Sequence, residues 1–172
     1  MSSPIYELSA AVRTRRSDMG LTQMALAALS GLSRATVNQV EKGTIKDLSL
    51  TRATRLLEAI GLSMAVATPR PRPQNRESAK QKSDALDIAA RTASVSHKTP
   101  VSAHHLREVL STGTPARAFL PHVYALLDEA PVSLLASVVE QLHLENGIER
   151  AQIWKRMREL AHQLDSRREI WR

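Results

Sequence analysis

Residues 34–42 place side chains that can recognise nucleic acid at helical spacing. The stretch carries a guanidinium, a hydroxyl, two amides and an ammonium group, in Arg34, Thr36, Asn38, Gln39 and Lys42. Amide groups can form paired hydrogen bonds with the edge of adenine, and a guanidinium can do the same with guanine. A short helix that turns these groups outward would suit the major groove of DNA. The alternative interpretation is a solvated polar face on an ordinary small helical bundle.

Two short predicted helices must position these groups. Thr22 is predicted to cap the second helix of the chain, which ends at Ser30 and Gly31, and Ser33 is predicted to cap the third, which runs over 34–42. A tight turn over 30–32 joins the two helices. One side of both helices is apolar, and its side chains are expected to share one interior: Leu26, Ala27, Leu32, Val37 and Val40.

Residues 1–68 are predicted to form four helices followed by a strand. The first helix begins at Ser3 and Pro4, and the fourth is capped by Ser49 and ends at Gly61. The alternation after it predicts a short β-strand, made of Ser63, Met64, Ala65, Val66, Ala67 and Thr68. A lone strand has no partner inside such a domain, so we expect it to pair with the same strand of a second subunit. An extended tail is the alternative.

The stretch over 21–43 resembles the helix-turn-helix of Cro/cI-type (XRE) repressors. It contains the Leu-Thr-Gln, Leu-Ala, Gly-x-Ser, Thr-Val and Glu-x-Gly groups of that family. Residues 5–68 resemble the HipB-type antitoxins more closely still, because Leu62, Ser63 and Met64 match a strand that follows the fourth helix there. The resemblance implies a lambda-repressor-like fold with a dimerisation strand. It does not extend to residues 99–172.

The resemblance also implies roles for individual residues. Gln23 would contact a DNA phosphate from the start of the second helix, and Lys42 and Lys46 would contact the DNA backbone. Arg16 and Glu41 match a buried ion pair that holds the first helix against the third. The base-reading positions of the family correspond to Arg34, Ala35, Asn38 and Gln39. The alanine among them stands where a base-reading Gln is frequent, so the operator sequence does not follow from the resemblance.

Two further segments follow the first 68 residues. Residues 69–100 open with Pro-Arg-Pro-Arg-Pro and are predicted to form a basic linker, within which 84–91 could form a short helix. Residues 101–172 are predicted to form a small bundle of about four helices, over 103–112, 116–130, 132–145 and 149–168. In that bundle Trp154 is assigned to the core, and Trp171 could anchor an interface.

Composition and charge limit the classes of function. The 172 residues include no cysteine, which excludes disulfides and thiolate metal sites, and the low aromatic content of 3% favours an all-α fold. The net charge of +7 lies in residues 1–98, because residues 99–172 carry nine basic and nine acidic side chains. This asymmetry predicts a polyanionic partner for the N-terminal part. No apolar run is long enough to cross a bilayer, so a cytoplasmic protein without membrane contact is expected.

Catalysis, cofactor binding and metal binding are not expected. The adjacent His104 and His105 diverge on a helix, and the other histidines lack the spacing of three or four that places two imidazoles and a carboxylate on one metal. The sequence has no Gly-rich phosphate loop, no nucleophile elbow and no paired carboxylate motif.

These features predict an all-α transcriptional repressor that binds a palindromic operator in double-stranded DNA as a homodimer. The resemblance favours the antitoxin of a toxin–antitoxin operon, which represses its own operon and neutralises a toxin through residues 101–172. The toxin could be a HipA-like kinase or another enzyme, such as a nucleotidyltransferase. A metabolite-sensing regulator and an adaptor for a protein that is not a toxin are the alternatives.

Overall fold

The structure, a computed structural model, describes residues 4–65 and 84–172. The first range contains four helices: α1 (Pro4–Asp18), α2 (Gln23–Ser30), α3 (Arg34–Glu41) and α4 (Leu50–Ala59). The second contains five: α5 (Ala85–Ser94), α6 (Ala103–Thr112), α7 (Leu120–Glu129), α8 (Val132–Asn146) and α9 (Arg150–Gln163). Short 3-10 turns precede α7 and follow α9, at Arg117–Phe119 and Glu169–Trp171. These ranges confirm the predicted helical fold.

The predicted β-strand over 63–68 is not seen. Ser63, Met64 and Ala65 follow α4 without regular secondary structure, and none of the described residues lies in a strand. The other half of the predicted strand, made of Val66, Ala67 and Thr68, lies outside the described residues. A strand is defined by hydrogen bonds to a neighbouring strand, and the described part of this single chain offers the segment no such neighbour.

The first four helices form the bundle that positions α3. Helix α2 packs against both α3 and α4, and α1 packs against α3. Their shared interior is built from fully buried aliphatic side chains, among them Val12, Leu26, Val37, Val40 and Leu56. Deep burial of one side of α3 fixes which of its side chains must face outward.

Helix α5 lies inside the C-terminal bundle, although it falls within the range 69–100 assigned to a linker. It packs against α6, α7 and α8, and its buried side consists of Leu86, Ala89, Ala90 and Ala93. Asp84 begins the helix, because its side chain accepts a hydrogen bond from the Leu86 amide at 3.0 Å. Residues 69–83 of the predicted linker lie outside the described residues.

The two bundles pack against each other. Helix α1 contacts α9, α4 contacts α8, and the turn Glu169–Trp171 contacts α2. The Arg158 guanidinium donates a hydrogen bond to the Met19 carbonyl at the end of α1. Gly61, just after α4, lies against the first turn of α8. Buried apolar residues of both bundles therefore belong to one continuous core.

We expect Gly61→Ala to test this contact. Gly61 has φ +70°, and a Cβ there would lie 2.9 Å from the Val132 carbonyl oxygen. Gly147 has nearly the same conformation, φ +67°, with no atom near a Cβ. Gly147→Ala should lower the free energy of unfolding by about 1 kcal/mol through backbone strain, and Gly61→Ala by about 2–3 kcal/mol, because overpacking adds to the strain. Urea unfolding of both variants measures the difference, and equal losses would contradict the contact.

No single helix of the described residues is long and apolar enough to cross a membrane. Only a bent pair, Arg117–Glu129 with Val132–Asn146, reaches that length and hydropathy when its two members are counted together.

Candidate nucleic-acid interface

The turn between α2 and α3 is built from two caps and a glycine. The Thr22 hydroxyl accepts a hydrogen bond from the Ala25 amide at 3.0 Å, and the Ser33 hydroxyl accepts one from the Thr36 amide at 3.1 Å. Gly31 ends α2 with φ +67°, in the left-handed region that favours glycine. These hydrogen bonds pair backbone amides at the starts of α2 and α3, and together with Gly31 they set the angle at which α3 follows α2. The sequence predicted both caps and the turn.

One side of α3 is buried and the other is exposed. Val37 and Val40 are fully buried beside Leu26 and Ala27, and Leu32 is partly buried against the same core. The exposed side carries four of the predicted DNA-contacting residues, Arg34, Ala35, Gln39 and Lys42, while Thr36 and Asn38 are half-buried. The Thr36 hydroxyl lies 2.8 Å from the Ser33 hydroxyl and so takes part in the cap.

The cationic groups of this surface are not neutralised within the described ranges. No carboxylate there lies within ion-pair distance of Arg34, Lys42 or Lys46, and all three residues are exposed. Lys42 caps the C-terminal end of α3, where its amide bonds to the Asn38 carbonyl, and Lys46 lies in the loop before α4. Their ammonium groups are therefore available to an anion, as phosphate contacts require.

Arg16 and Glu41 form the ion pair that the resemblance implied. Arg16 Nε donates to Glu41 Oε1 at 2.5 Å and Nη2 donates to Oε2 at 3.2 Å, while Nη1 reaches the Leu21 carbonyl at 2.7 Å. The Glu41 side chain is only 5% exposed. The pair thus joins α1 to the end of α3 and to the segment that leads into α2.

The pKa of the Glu41 carboxyl lies below its ordinary value. Burial acts to raise this pKa, but hydrogen bonds from Arg16 and Gln23, together with the positive charges of Arg16 and Arg13, outweigh burial. Glu41 is therefore ionised at neutral pH, and its oxygens can only accept hydrogen bonds.

Gln23 belongs to the same network, which the sequence did not indicate. Its Nε2 donates to Glu41 Oε2 at 2.9 Å, and its Oε1 accepts from Asn38 Nδ2 at 3.4 Å. The resemblance assigned Gln23 to a phosphate and Asn38 to a base, without any link between them. They are 15 residues apart, and only the folded angle between α2 and α3 brings their amides together.

The C-terminal bundle gathers histidines without forming a metal centre. The rings of His97 and His122 lie with centres 4.1 Å apart and planes tilted by 31°, and the His122 Nε2 atom lies 2.7 Å from the Thr99 carbonyl oxygen. The His105 ring lies against that of Phe119 at 4.5 Å, tilted by 39°. Within the described ranges, no three residues of the types His, Cys, Asp and Glu are placed so that they could hold a metal ion.

Comparison with known proteins bears on the first bundle. A family model described as helix-turn-helix matches residues 12–66, which include α2, α3, α4 and most of α1. No curated protein and no solved structure matches the chain. Residues 12–66 are therefore a helix-turn-helix domain of the Cro/cI (XRE) type, which indicates that the chain is a DNA-binding transcription regulator.

Proposed function

We propose that the chain is a sequence-specific repressor that binds a palindromic operator through α3. The observation that carries this proposal is the division of α3 into a buried side and an exposed side. Val37 and Val40 hold the helix on the core, and Arg34 and Gln39 are exposed on the opposite side. Arg34 has no ion-pair partner in the described ranges. Guanidinium and amide groups are the ones that discriminate bases in the major groove.

Substitutions on α3, and at Lys46 in the loop that follows it, test this proposal. Arg34→Ala or Asn38→Ala should each cost about 1–3 kcal/mol of operator binding and relax the base preference at one or two positions in each half-site. Lys46→Ala should weaken specific and non-specific binding about equally and reduce the salt dependence by about one counterion per subunit. Titrations of operator and scrambled duplex at several salt concentrations measure both effects. An unchanged specificity ratio in both α3 variants would show that another element reads the operator.

A homodimer would place two copies of α3 on one operator. The two helices would enter successive major grooves about 10 bp apart, which fits a palindromic site. Met64 supports an interface after α4, because this large apolar side chain is 46% exposed in the single chain. Sedimentation of the full chain and of a Met64→Glu variant tests the dimer. A wild-type chain that sediments as a monomer at operator-saturating concentrations would exclude it.

We further propose that this repressor is an antitoxin that neutralises a toxin through residues 101–172. The likeness of residues 5–68 to HipB-type antitoxins and the balanced charge of residues 99–172 support this role. Co-expression with the product of the adjacent reading frame tests it. Relief of growth arrest and co-purification are expected. An adjacent product that neither arrests growth nor binds the chain would favour the metabolite-sensing or adaptor alternatives.

A further inference from the structure

The orientation of the Gln23 amide follows from the charge of Glu41. An ionised carboxylate only accepts hydrogen bonds, so the end of Gln23 that faces Glu41 must be its NH₂ group. The bond from Gln23 Nε2 to Glu41 Oε2, 2.9 Å long, has this direction. The carbonyl oxygen Oε1 of Gln23 is thereby turned toward Asn38, about one turn before Glu41 on the same helix.

The Gln23 carbonyl in turn orients the amide of Asn38. Since Gln23 Oε1 carries no proton, the group that meets it must be a donor, and Asn38 Nδ2 lies there at 3.4 Å. One N–H of Asn38 is used in this contact. Within residues 4–65 and 84–172 its Oδ1 and its second N–H have no hydrogen-bond partner, and the half-buried side chain lies next to the exposed Gln39 on α3. Asn38 therefore offers one acceptor and one donor side by side.

We propose that Gln23 is a positioning residue that sets Asn38 to read an adenine in the operator. In that contact Asn38 Oδ1 accepts from the N6 amino group of adenine, and the free N–H donates to N7. A flipped Asn38 amide would exchange its donor and acceptor and could not form these two hydrogen bonds with adenine. The inference rests on the proposed function, because it requires α3 in the major groove.

A phosphate contact is the competing role for Gln23, and the two roles have different signatures. In that role the second N–H of Gln23 would be the group that donates to a phosphate oxygen. Such a contact acts on every sequence to a similar degree, because phosphates carry no base identity. A positioning role acts on one base pair in each half-site. Base analogues at single positions therefore separate the two roles.

The test begins with an operator selected from random duplexes by the full-length chain. Each adenine of a half-site is then replaced by 7-deazaadenine, which lacks the N7 acceptor, or by purine, which lacks the N6 amino group. At one adenine per half-site, both analogues should weaken wild-type binding by about fivefold or more. Gln23→Met keeps the side-chain length without an amide, and it should abolish this sensitivity at that adenine alone.

Two further variants complete the design. Asn38→Ala should abolish the same sensitivity, and adding Gln23→Met to it should cause no further loss at that adenine. Gln152→Met, on the exposed side of α9, should bind like the wild type. If Gln23→Met does not fold, as judged by its thermal transition, Gln23→Ala replaces it.

The outcomes separate this inference from the proposed function. Selection of no preferred sequence would overturn the proposed function and the inference with it. A preferred operator would support the function, and two results there would overturn the inference alone. One is a wild-type chain insensitive to both analogues at every adenine. The other is a Gln23 variant that still loses affinity when the analogues replace that adenine, or one whose loss of affinity is the same at every operator position.

Discussion

Replacement of Trp171 by Ala is expected to lower the free energy of unfolding by about 3–5 kcal/mol. The indole is only 2% exposed, and its ring centre lies 6.2 Å from that of Trp154. Its Nε1 donates to the Leu127 carbonyl near the end of α7, at 3.0 Å. Alanine would leave a large cavity beside Trp154 and remove this bond. Urea unfolding followed by circular dichroism measures the loss.

Trp171→Phe is the matched control for the hydrogen bond. Phenylalanine retains one buried six-membered ring and removes the N–H donor with the rest of the five-membered ring, and Arg168 Nη1 still reaches the Leu127 carbonyl at 3.2 Å. We expect a loss of about 1–2 kcal/mol for this variant. A loss below about 1 kcal/mol for Trp171→Ala would contradict the burial of the turn Glu169–Trp171.

The position of Trp171 also changes its interpretation. The sequence suggested an interface anchor, because a tryptophan near several arginines is typical of binding surfaces. In the folded chain its indole is enclosed between α7 and α9, within a turn that also contacts α2. The turn that carries Trp171 thus contacts the helix-turn-helix domain, while the buried indole packs within the C-terminal bundle and is not available to a partner.

Features set by neighbouring residues could be predicted from the sequence. Helix α6 has the predicted bounds, Ala103–Thr112, because both ends carry local signals. The Ser102 hydroxyl accepts from the His105 amide, and Gly113 takes a left-handed conformation with φ +79°. The caps of α2 and α3 are equally local. The type and order of helices therefore follow from short stretches of sequence. Not every bound does, because the helix predicted over 116–130 begins only at Leu120 and the one predicted over 149–168 ends at Gln163.

Contacts between distant residues could not be predicted in the same way. The sequence predicts Gly61 as the end of a helix, yet the residue it packs against, Val132, lies more than 70 residues later in the sequence. Arg158 and Met19, which join the two bundles, are 139 residues apart. No periodicity or cap encodes such pairs, because they depend on how complete bundles fit together. The link from Gln23 to Asn38 escaped prediction for the same reason.

Replacement of Glu41 by Ala should lower the free energy of unfolding by about 3–4 kcal/mol. Removal of one partner from a buried ion pair typically costs about 3–5 kcal/mol, and the 17% exposure of the Arg16 side chain moderates the cost here. The variant leaves the Arg16 guanidinium without its carboxylate and Gln23 without its acceptor.

Glu140→Gln is the control at an exposed ion pair, because Glu140 pairs with Arg150 where the two side chains are 33% and 34% exposed. It should lose only about 1 kcal/mol or less.

The pH dependence of stability gives an independent measure of the same pair. The pKa of Glu41 in the folded chain lies below its ordinary value of 4.5, so its ionised form contributes stability above that pH. This contribution should decline as the pH falls through the folded pKa, where the carboxyl takes up a proton. Glu41→Gln cannot titrate, so the difference in stability between wild type and Glu41→Gln should be largest at neutral pH and shrink in acid.

The pKa of Glu140 is also lowered, chiefly by its hydrogen bond with Arg150. The comparison therefore uses the difference between the two chains, in which the contribution of Glu140 cancels. A difference that stays constant from neutral pH into acid would mean that Glu41 contributes through its shape and not through its charge.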